Sequence, residues 1–528
     1  MKTDVLIIGG GGAGLVAALH AHQNGSKVKV LTKEYPTRSQ TTMAQGGINA
    51  VLDESEDSIA THIQNTLHSS HNLASPQSVE FLCKEAPSAI KWLDSIGVCF
   101  SRTKDAKIAQ RKLGGASYAR ACYAQDYTGL KILHTLYDRC IAEGIEILAQ
   151  KYLLDIDTHN GSVCGVSILD IRTSEVEYYS AKSVVLATGG YARVYDKYST
   201  NSKASSGDGI AAALRAGVAL SDMEFVQFHP TALKNSSILI GESARGAGGH
   251  LLNEAGERFT NELAPRDEVA RAIDLLIRKG ENVFLDIRHL GEKFIDEELP
   301  QERKLAKLYE NVDPTQHIIP IKPVAHYTMG GIVVDENSQT NIEGLFSVGE
   351  CANHKVHGAN RLGGNSLLEL VVFAKKVGFD SAMYAKTHNF ITHNFQTNRI
   401  EQIKQYTNEI DFYEIQHEIG ELFYKNVGIR REEKTLQSAL QRIQAIKQDI
   451  PKMGVSDRSK VYNTNLIEFL EFINIVELAE VVVLSALQRQ ESRGAHFRED
   501  FQKEDKAFQA HSIVSLKENN AYGVKYED

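Results

Sequence analysis

Gly9, Gly11 and Gly14 fall on a G-x-G-x-x-G pattern directly after the apolar run Val5-Leu6-Ile7-Ile8. This spacing makes a phosphate cradle. Gly9 permits a tight turn out of a strand, Gly11 removes a side chain so that a pyrophosphate can touch the backbone, and Gly14 lets the next helix pack close to the sheet. Gly12 and Ala13 open that helix, which is predicted over about Ala13 to Asn24, with its N–H groups and dipole aimed at the phosphates. Gly25 closes it and Lys27 to Leu31 supplies a second strand. The glycines alone are a weak signal; with a strand before, a helix after and a second strand they predict a bound dinucleotide. A secretion signal or membrane helix over the mostly apolar Val5–Ala21 is disfavoured. The glycine run is poor helix, Asp4 stands in front, and only Lys2 supplies a basic flank.

Other segments carry groups suited to the same ligand. The stretch Thr37 to Ile48 offers the side chains of Ser39, Gln40, Thr41, Thr42 and Gln45 and the adjacent Gly46 and Gly47. Many donors in one loop suit phosphate and ring contacts, although such composition is usually a solvated surface loop; its place after the second strand favours function. Ser183–Ala187 reads as a buried strand running into Thr188-Gly189-Gly190, which returns the chain to the nucleotide. Asp208, between two glycines at the start of a helix over Ile210–Ala216, reads as a cap or as a cofactor contact. Glu350 follows a strand, and the run His357 to Ser366 leads into a helix at Leu367.

These residues need a scaffold of several elements. Residues 50–140 read as largely helical, with an irregular Gly/Arg/Lys segment from Gln110 to Gly129. Ile145–Thr158, Ser162–Asp170 and Val176–Ser180 alternate as strands of a small antiparallel sheet. From about Phe228 to Pro323 charge and short elements dominate, which predicts an inserted domain, and the sheet is expected to resume at Gly330–Val334 and Gly344–Val348. Beyond Phe390, Gln416–Lys425, Glu432–Lys447 and Asn465–Gln490 are helical runs.

The chain has 528 residues, enough for two or three domains with substantial cores. Its net charge of -9 argues against a general nucleic-acid binder. No second apolar run approaches a membrane span, so a membrane link is expected only through a partner. None of the six cysteines stands at C-x-x-C spacing, which argues against zinc or an iron–sulfur cluster in this chain. With no export signal before the first strand, a cytoplasmic location is expected.

Several longer runs resemble the flavoprotein subunits of fumarate reductase and succinate dehydrogenase. They are Met223-Glu-Phe-Val-Gln-Phe-His-Pro-Thr231, Ala264-Pro-Arg-Asp-Glu-Val-Ala-Arg-Ala272, Phe284–Lys293, Ala325-His-Tyr-Thr-Met-Gly-Gly331, His357-Gly-Ala-Asn-Arg-Leu-Gly363 and Glu491–Asp500. The resemblance runs from residue 1 to about 514. It implies an α/β fold: an FAD-binding Rossmann-like domain (1–227 and 324–390), an inserted α+β capping domain (228–323), a C-terminal helical domain (391–505) and a short segment (506–528). It implies FAD as cofactor, with Thr32-Lys33-Glu34 resembling the family's own version of the place where an NAD site has an acidic residue at the end of the second strand. Glu350 then meets FAD hydroxyls, and Arg361, Ser366 and Leu367 lie in the second cofactor segment.

The implied reaction moves hydride from reduced FAD to fumarate, giving succinate. Fumarate is a flat dianion, so fixed cationic and hydrogen-bonding groups must absorb charge as hydride arrives. By resemblance, His229, His326 and Arg361 hold the substrate carboxylates. Arg266 delivers the proton, refilled through Glu242 and Arg245, whose i, i+3 spacing puts them on one helical face. Electrons are implied to come from an iron–sulfur partner subunit, with a quinol, a thiol pair or a reduced carrier left open as the donor behind it and a membrane-anchoring or quinone-reactive subunit as a further partner.

The chain departs from the family at four places. Gln40 replaces a histidine that bonds covalently to the flavin in many members, so non-covalent FAD is expected. Gly241 replaces a threonine that helps bind a substrate carboxylate, and Ala247 replaces a glutamate near Arg245. The carboxyl-terminal part is short. L-Aspartate oxidase is the alternative that also lacks the covalent histidine, and a non-catalytic flavin-carrying subunit is a third; Arg266, His326 and Arg361 speak against the latter.

Overall fold

The structure is a computed structural model that describes residues 1–392, 395–517 and 521–527. Its centre is a seven-stranded sheet. Lys2–Ile8 pairs in parallel with Val28–Thr32 on one side and with Val176–Leu186 on the other, and Leu345–Ser347 also pairs with Val176–Leu186. Val5, Leu6 and Ile7 are fully buried, as expected for a parallel strand covered on both faces. The helix Gly12–Gln23 covers one face together with the long helix Asn365–Thr387.

Two expectations change here. The antiparallel strands do not form a separate small sheet. Val176–Leu186 is continuous, pairing with Ser162–Asp170 through its first half and with the parallel strand Lys2–Ile8 through its second. The region read as one strand from Ile145 is broken at Gln150, whose φ is +63°. Glu146–Ala149 extends the parallel sheet and Lys151–His159 joins the antiparallel part. Of the two strands expected to resume the sheet, only Leu345–Ser347 does so. Gly331–Val333 joins a different five-stranded sheet with Leu220–Ser221, Ala352–Asn353 and the hairpin His511–Leu516/Tyr522–Glu527. That hairpin organises the segment read only as a short tail.

Within the inserted stretch, Val226–Leu233 and Ile319–Thr328 pair antiparallel and carry Val283–Asp286 and His250–Leu252 outward. The helices Arg266–Arg278 and Pro300–Glu310 pack on this sheet. Phe412–Asn426, Glu433–Asp449 and Thr464–Gln488 form the later helical layer. The motif Glu491–Asp500 is a buried ionic clamp. Arg489 bonds Glu224 and Glu491, Arg493 bonds Glu491, and the Ala495 amide reaches the carbonyl of Ala359. It thereby braces the loop that carries Arg361. Among the described residues no helix is long and apolar enough to cross a membrane.

Candidate active site

One long cleft joins the glycine motif to the inserted stretch. It encloses about 1620 Å³ of empty space, counting that open to solvent. Gly9 to Ala13, Thr32, Lys33, Ser39, Gln40, Thr41, Gln45, Gly46, Gly47, Asp208, Glu350, Ser366 and Leu367 line one end and its middle; His229, Glu242, Arg266, His326 and Arg361 line the other. Three expected residues lie behind the wall. Gly14 is packed so tightly under the turn that a Cβ would stand 2.0 Å from the Gly9 oxygen. Thr42 is turned back, its hydroxyl donating to the Ser39 carbonyl at 2.8 Å. Arg245 stands behind Glu242.

The cradle fits a dinucleotide. Gly9 has φ +116°, and a Cβ there would meet the Ala187 carbonyl at 2.1 Å. A Cβ at Gly11 would find nothing of this chain nearer than 3.6 Å, so the chain's own packing does not require that glycine, and the space left there suits a closely seated ligand. The buried Ser39 and Thr188 hydroxyls and both ends of the Gln45 amide have no partner in the described residues, and each lines the cleft. Lys33 is committed to protein partners. Its ammonium contacts Asp208 and Glu471, both at 2.5 Å, and the two carboxylates hold its pKa above the ordinary value although burial opposes this. Asp208 makes no capping bond; it also accepts from the Tyr152 hydroxyl and the Asn474 amide. Gln40 Oε1 accepts from the Ser202 amide at 2.8 Å. Glu350 Oε1 accepts from the Thr328 amide at 3.0 Å, and burial pushes its carboxyl up to about 7.

The far end is built by four elements. The strands Val226–Leu233 and Ile319–Thr328 place His229 and His326 with ring centroids 4.9 Å apart. His326 Nδ1 meets the Thr200 hydroxyl at 2.8 Å. Burial first, and the nearby arginines next, hold both histidines well below the usual imidazole pKa, so both are neutral at pH 7. Arg266 opens the helix Arg266–Arg278 and donates to Glu242 Oε2 through Nε at 3.1 Å and Nη2 at 2.5 Å. Glu242 opens the helix Glu242–Gly246, and the arginines keep its pKa below the ordinary value against the cost of burial. The Arg361 guanidinium lies 4.4 Å over the Tyr327 ring, and burial lowers its pKa to about 10.

Sequence reasoning missed two supports of this end. Gln227 Oε1 accepts from both Arg266 and Arg361, while its amide nitrogen donates to Asn360 and to the Arg361 carbonyl. Gly114 lies in the irregular segment; its amide donates to Glu242 Oε1 at 2.8 Å. A Cβ at Gly114 or Gly363 would stand 2.3 or 2.5 Å from the Glu242 carboxylate oxygens. A glycine in each of two polar loops was the available signal.

A dinucleotide cradle running into a buried, arginine-rich pocket defines an FAD-dependent oxidoreductase. The family described as "FAD binding domain" matches residues 4–367, and "Fumarate reductase flavoprotein C-term" matches 416–528. The chain belongs to the fumarate reductase and succinate dehydrogenase flavoprotein subunit family. It is 40% identical to the 8-methylmenaquinol:fumarate reductase flavoprotein subunit of Wolinella succinogenes, over 99% of this chain and 90% of that one. It is 37% identical to the fumarate reductase flavoprotein subunit of Haemophilus influenzae, over 100% and 94%. A solved quinol-fumarate reductase with menaquinol molecules superimposes with a TM-score of 0.94 at 36% identity, over 100% of this chain and 98% of that one.

Proposed function

We propose that this chain is the catalytic flavoprotein subunit of a fumarate reductase. The observation that carries the reading is the convergence of Arg266 and Arg361 on Gln227, beside two neutral histidines, in the cleft that begins at the glycine cradle. Reduced FAD, held at the cradle of Gly9 to Ala13, would supply the hydride. Arg361, His229 and His326 hold the two substrate carboxylates, and the cation over the Tyr327 ring is fixed before substrate arrives. Arg266 holds a proton at the side of the cleft facing the substrate, and Glu242, bonded to it through two nitrogens, is placed to restore that proton from Arg245. An arginine in this role needs a dry site and a fixed carboxylate, because guanidinium otherwise keeps its proton. The segment 228–323 acts as the cap that excludes water.

Electrons come from an iron–sulfur partner and, behind it, a quinol-reactive membrane subunit. The names of the Wolinella relative and of the solved complex, each of which includes a quinol, support this. L-Aspartate oxidation is less favoured, since the relatives named are fumarate reductases and succinate dehydrogenases. The test is reoxidation of chemically reduced viologen by fumarate, run beside peroxide release from L-aspartate. Fumarate-dependent turnover without peroxide supports the proposal; peroxide from L-aspartate with no response to fumarate overturns it.

A further inference from the structure

Gly241 leaves a volume that two side chains from other elements fill. A Cβ on it would stand 2.3 Å from Gln45 Oε1 and 2.8 Å from Glu302 Oε1. Glu302 projects from the helix Pro300–Glu310 and is fully buried. Its Oε1 accepts from the Gly241 amide at 3.0 Å and from the Ser243 hydroxyl at 2.8 Å, the two residues flanking Glu242. Its Oε2 is buried without a partner in the described residues. The helix bearing Glu302 is itself gripped from the dinucleotide-binding side. Asp126 Oδ2 accepts from the amides of Gln301 and Glu302 at 2.7 and 3.0 Å, a carboxylate on the free N–H groups of a helix start. Asp126 precedes the helix Thr128–Ala142, and the Thr128 hydroxyl and Arg111 both donate to the Gln45 carbonyl.

We propose that Glu302 is a positioning residue for Glu242, fixing the backbone at 241–243 from behind, with Asp126 tying it across the seam between the two sides of the cleft. This rests on the reading of Glu242 as part of the proton route to fumarate. Glu302 acts as the neutral acid. Oε1 accepts two hydrogen bonds, so the proton sits on Oε2. The charged and titratable groups around the pair are Arg111 and Tyr127, with Tyr123 and Glu298 on the far side of Arg111. Burial first and Asp126 next push the Glu302 carboxyl up to about 8, while burial pushes Asp126 up to about 6 against its backbone bonds. Above pH 8 a second charge appears beside Asp126 with no donor at Oε2, and the helix start loosens.

The experiment compares full-length, FAD-loaded Glu302→Ala, Glu302→Gln, Gly241→Ser and the double variant Gly241→Ser/Glu302→Ala in the viologen assay, with kcat and KM followed from about pH 6 to pH 9.5. Glu302→Ala is expected to lose about tenfold or more in kcat with roughly unchanged KM and FAD content. Glu302→Gln keeps both acceptor bonds, retains about half or more of kcat at pH 7, and loses the alkaline fall near pH 8. Gly241→Ser alone crowds Gln45 first and Glu302 next and loses turnover; the double variant relieves only the contact with Glu302 and recovers a small part of it. Wild-type kcat in Glu302→Ala overturns the proposal, as does an alkaline limb unchanged in Glu302→Gln. The infrared C=O band of a buried neutral carboxyl, present at pH 7 and absent in Glu302→Gln, reads the same group without substrate; its absence from wild type also overturns the proposal. A wild-type chain inert toward fumarate with that band intact sinks the substrate reading instead.

Discussion

Arg266 and Arg361 donate to one and the same oxygen, Oε1 of Gln227, at 3.0 and 3.1 Å. Two buried guanidinium groups repel, and the arrangement holds because Gln227 cannot turn: its amide nitrogen is committed to Asn360 and to the Arg361 carbonyl. Glu242 neutralises only one of the pair. The remaining positive charge is a standing attraction for a dianion. Gln227→Leu removes the shared acceptor and leaves both cations under-bonded. An unsatisfied buried partner costs about 1–3 kcal/mol, so catalytic efficiency with fumarate should fall roughly tenfold to hundredfold. Steady-state kinetics with reduced viologen check this, and unchanged kinetics would remove Gln227 from the design of the site.

Arg266→Lys keeps a charge but cannot reproduce two nitrogens on Glu242 Oε2 with a third on Gln227. If Arg266 delivers the proton, turnover should drop by about a hundredfold or more while FAD content and the binding of a non-reducible dicarboxylate change little. Retention of a good part of the activity would mean that Arg266 only neutralises charge.

If Arg361 holds a substrate carboxylate as proposed, Arg361→Ala strips that charge partner, and it leaves Tyr327 without its cation. A charge-assisted hydrogen bond is worth about 1.5–3 kcal/mol, so the loss should be at least about tenfold, and it should appear in dicarboxylate affinity measured by flavin difference spectra as well as in rate.

The glycine cradle was legible because each glycine there answers a local demand: a turn at Gly9, a ligand at Gly11, a helix contact at Gly14. The histidines and arginines of the far end were legible only through longer motifs, since nothing local in Ala325–Gly331 says that His326 will face His229. Sheet membership was misread where strand length hid a change of partner. Val176–Leu186 reads as two strands because its first half alternates and its second half is apolar, yet the backbone runs straight from an antiparallel to a parallel neighbour. Glu302 was invisible for a different reason. An acidic residue in the first turn of a helix reads as a solvated helix start, and only the fold turns it inward under Gly241.

His229 makes stability depend on pH. Its folded pKa lies well below 6.5 because burial and nearby cations oppose a charged ring, whereas in the unfolded chain it protonates near 6.5. Below that value the unfolded state binds more protons than the native state, so stability rises with pH and this contribution levels off above about 6.5. Well below it, His229 alone costs about 1.4 kcal/mol per pH unit. Denaturant midpoints at pH 7.5 and pH 5 should differ less in His229→Asn than in wild type; parallel shifts in the two proteins would show that His229 accepts a proton inside the fold.

On the proposed function, Gln40 is expected to leave FAD held without a covalent bond. Its side-chain oxygen is occupied by the Ser202 amide, and a carboxamide offers no nucleophile for a bond to the flavin ring. On the proposed function the other cleft residues would retain FAD by contact: the cradle at Gly9–Ala13, Glu350 toward hydroxyls, and the unpartnered Ser39, Gln45 and Thr188 groups. Acid or heat precipitation should therefore release yellow cofactor into solution, and the denatured chain should show no flavin fluorescence on a gel. Without a covalent tether, retention obeys mass action. Thermal stability should rise with added FAD by about 2.7 kcal/mol at a hundredfold excess over Kd. A flavin that stays with the denatured polypeptide would place the covalent bond on another residue and remove Gln40 as the determinant.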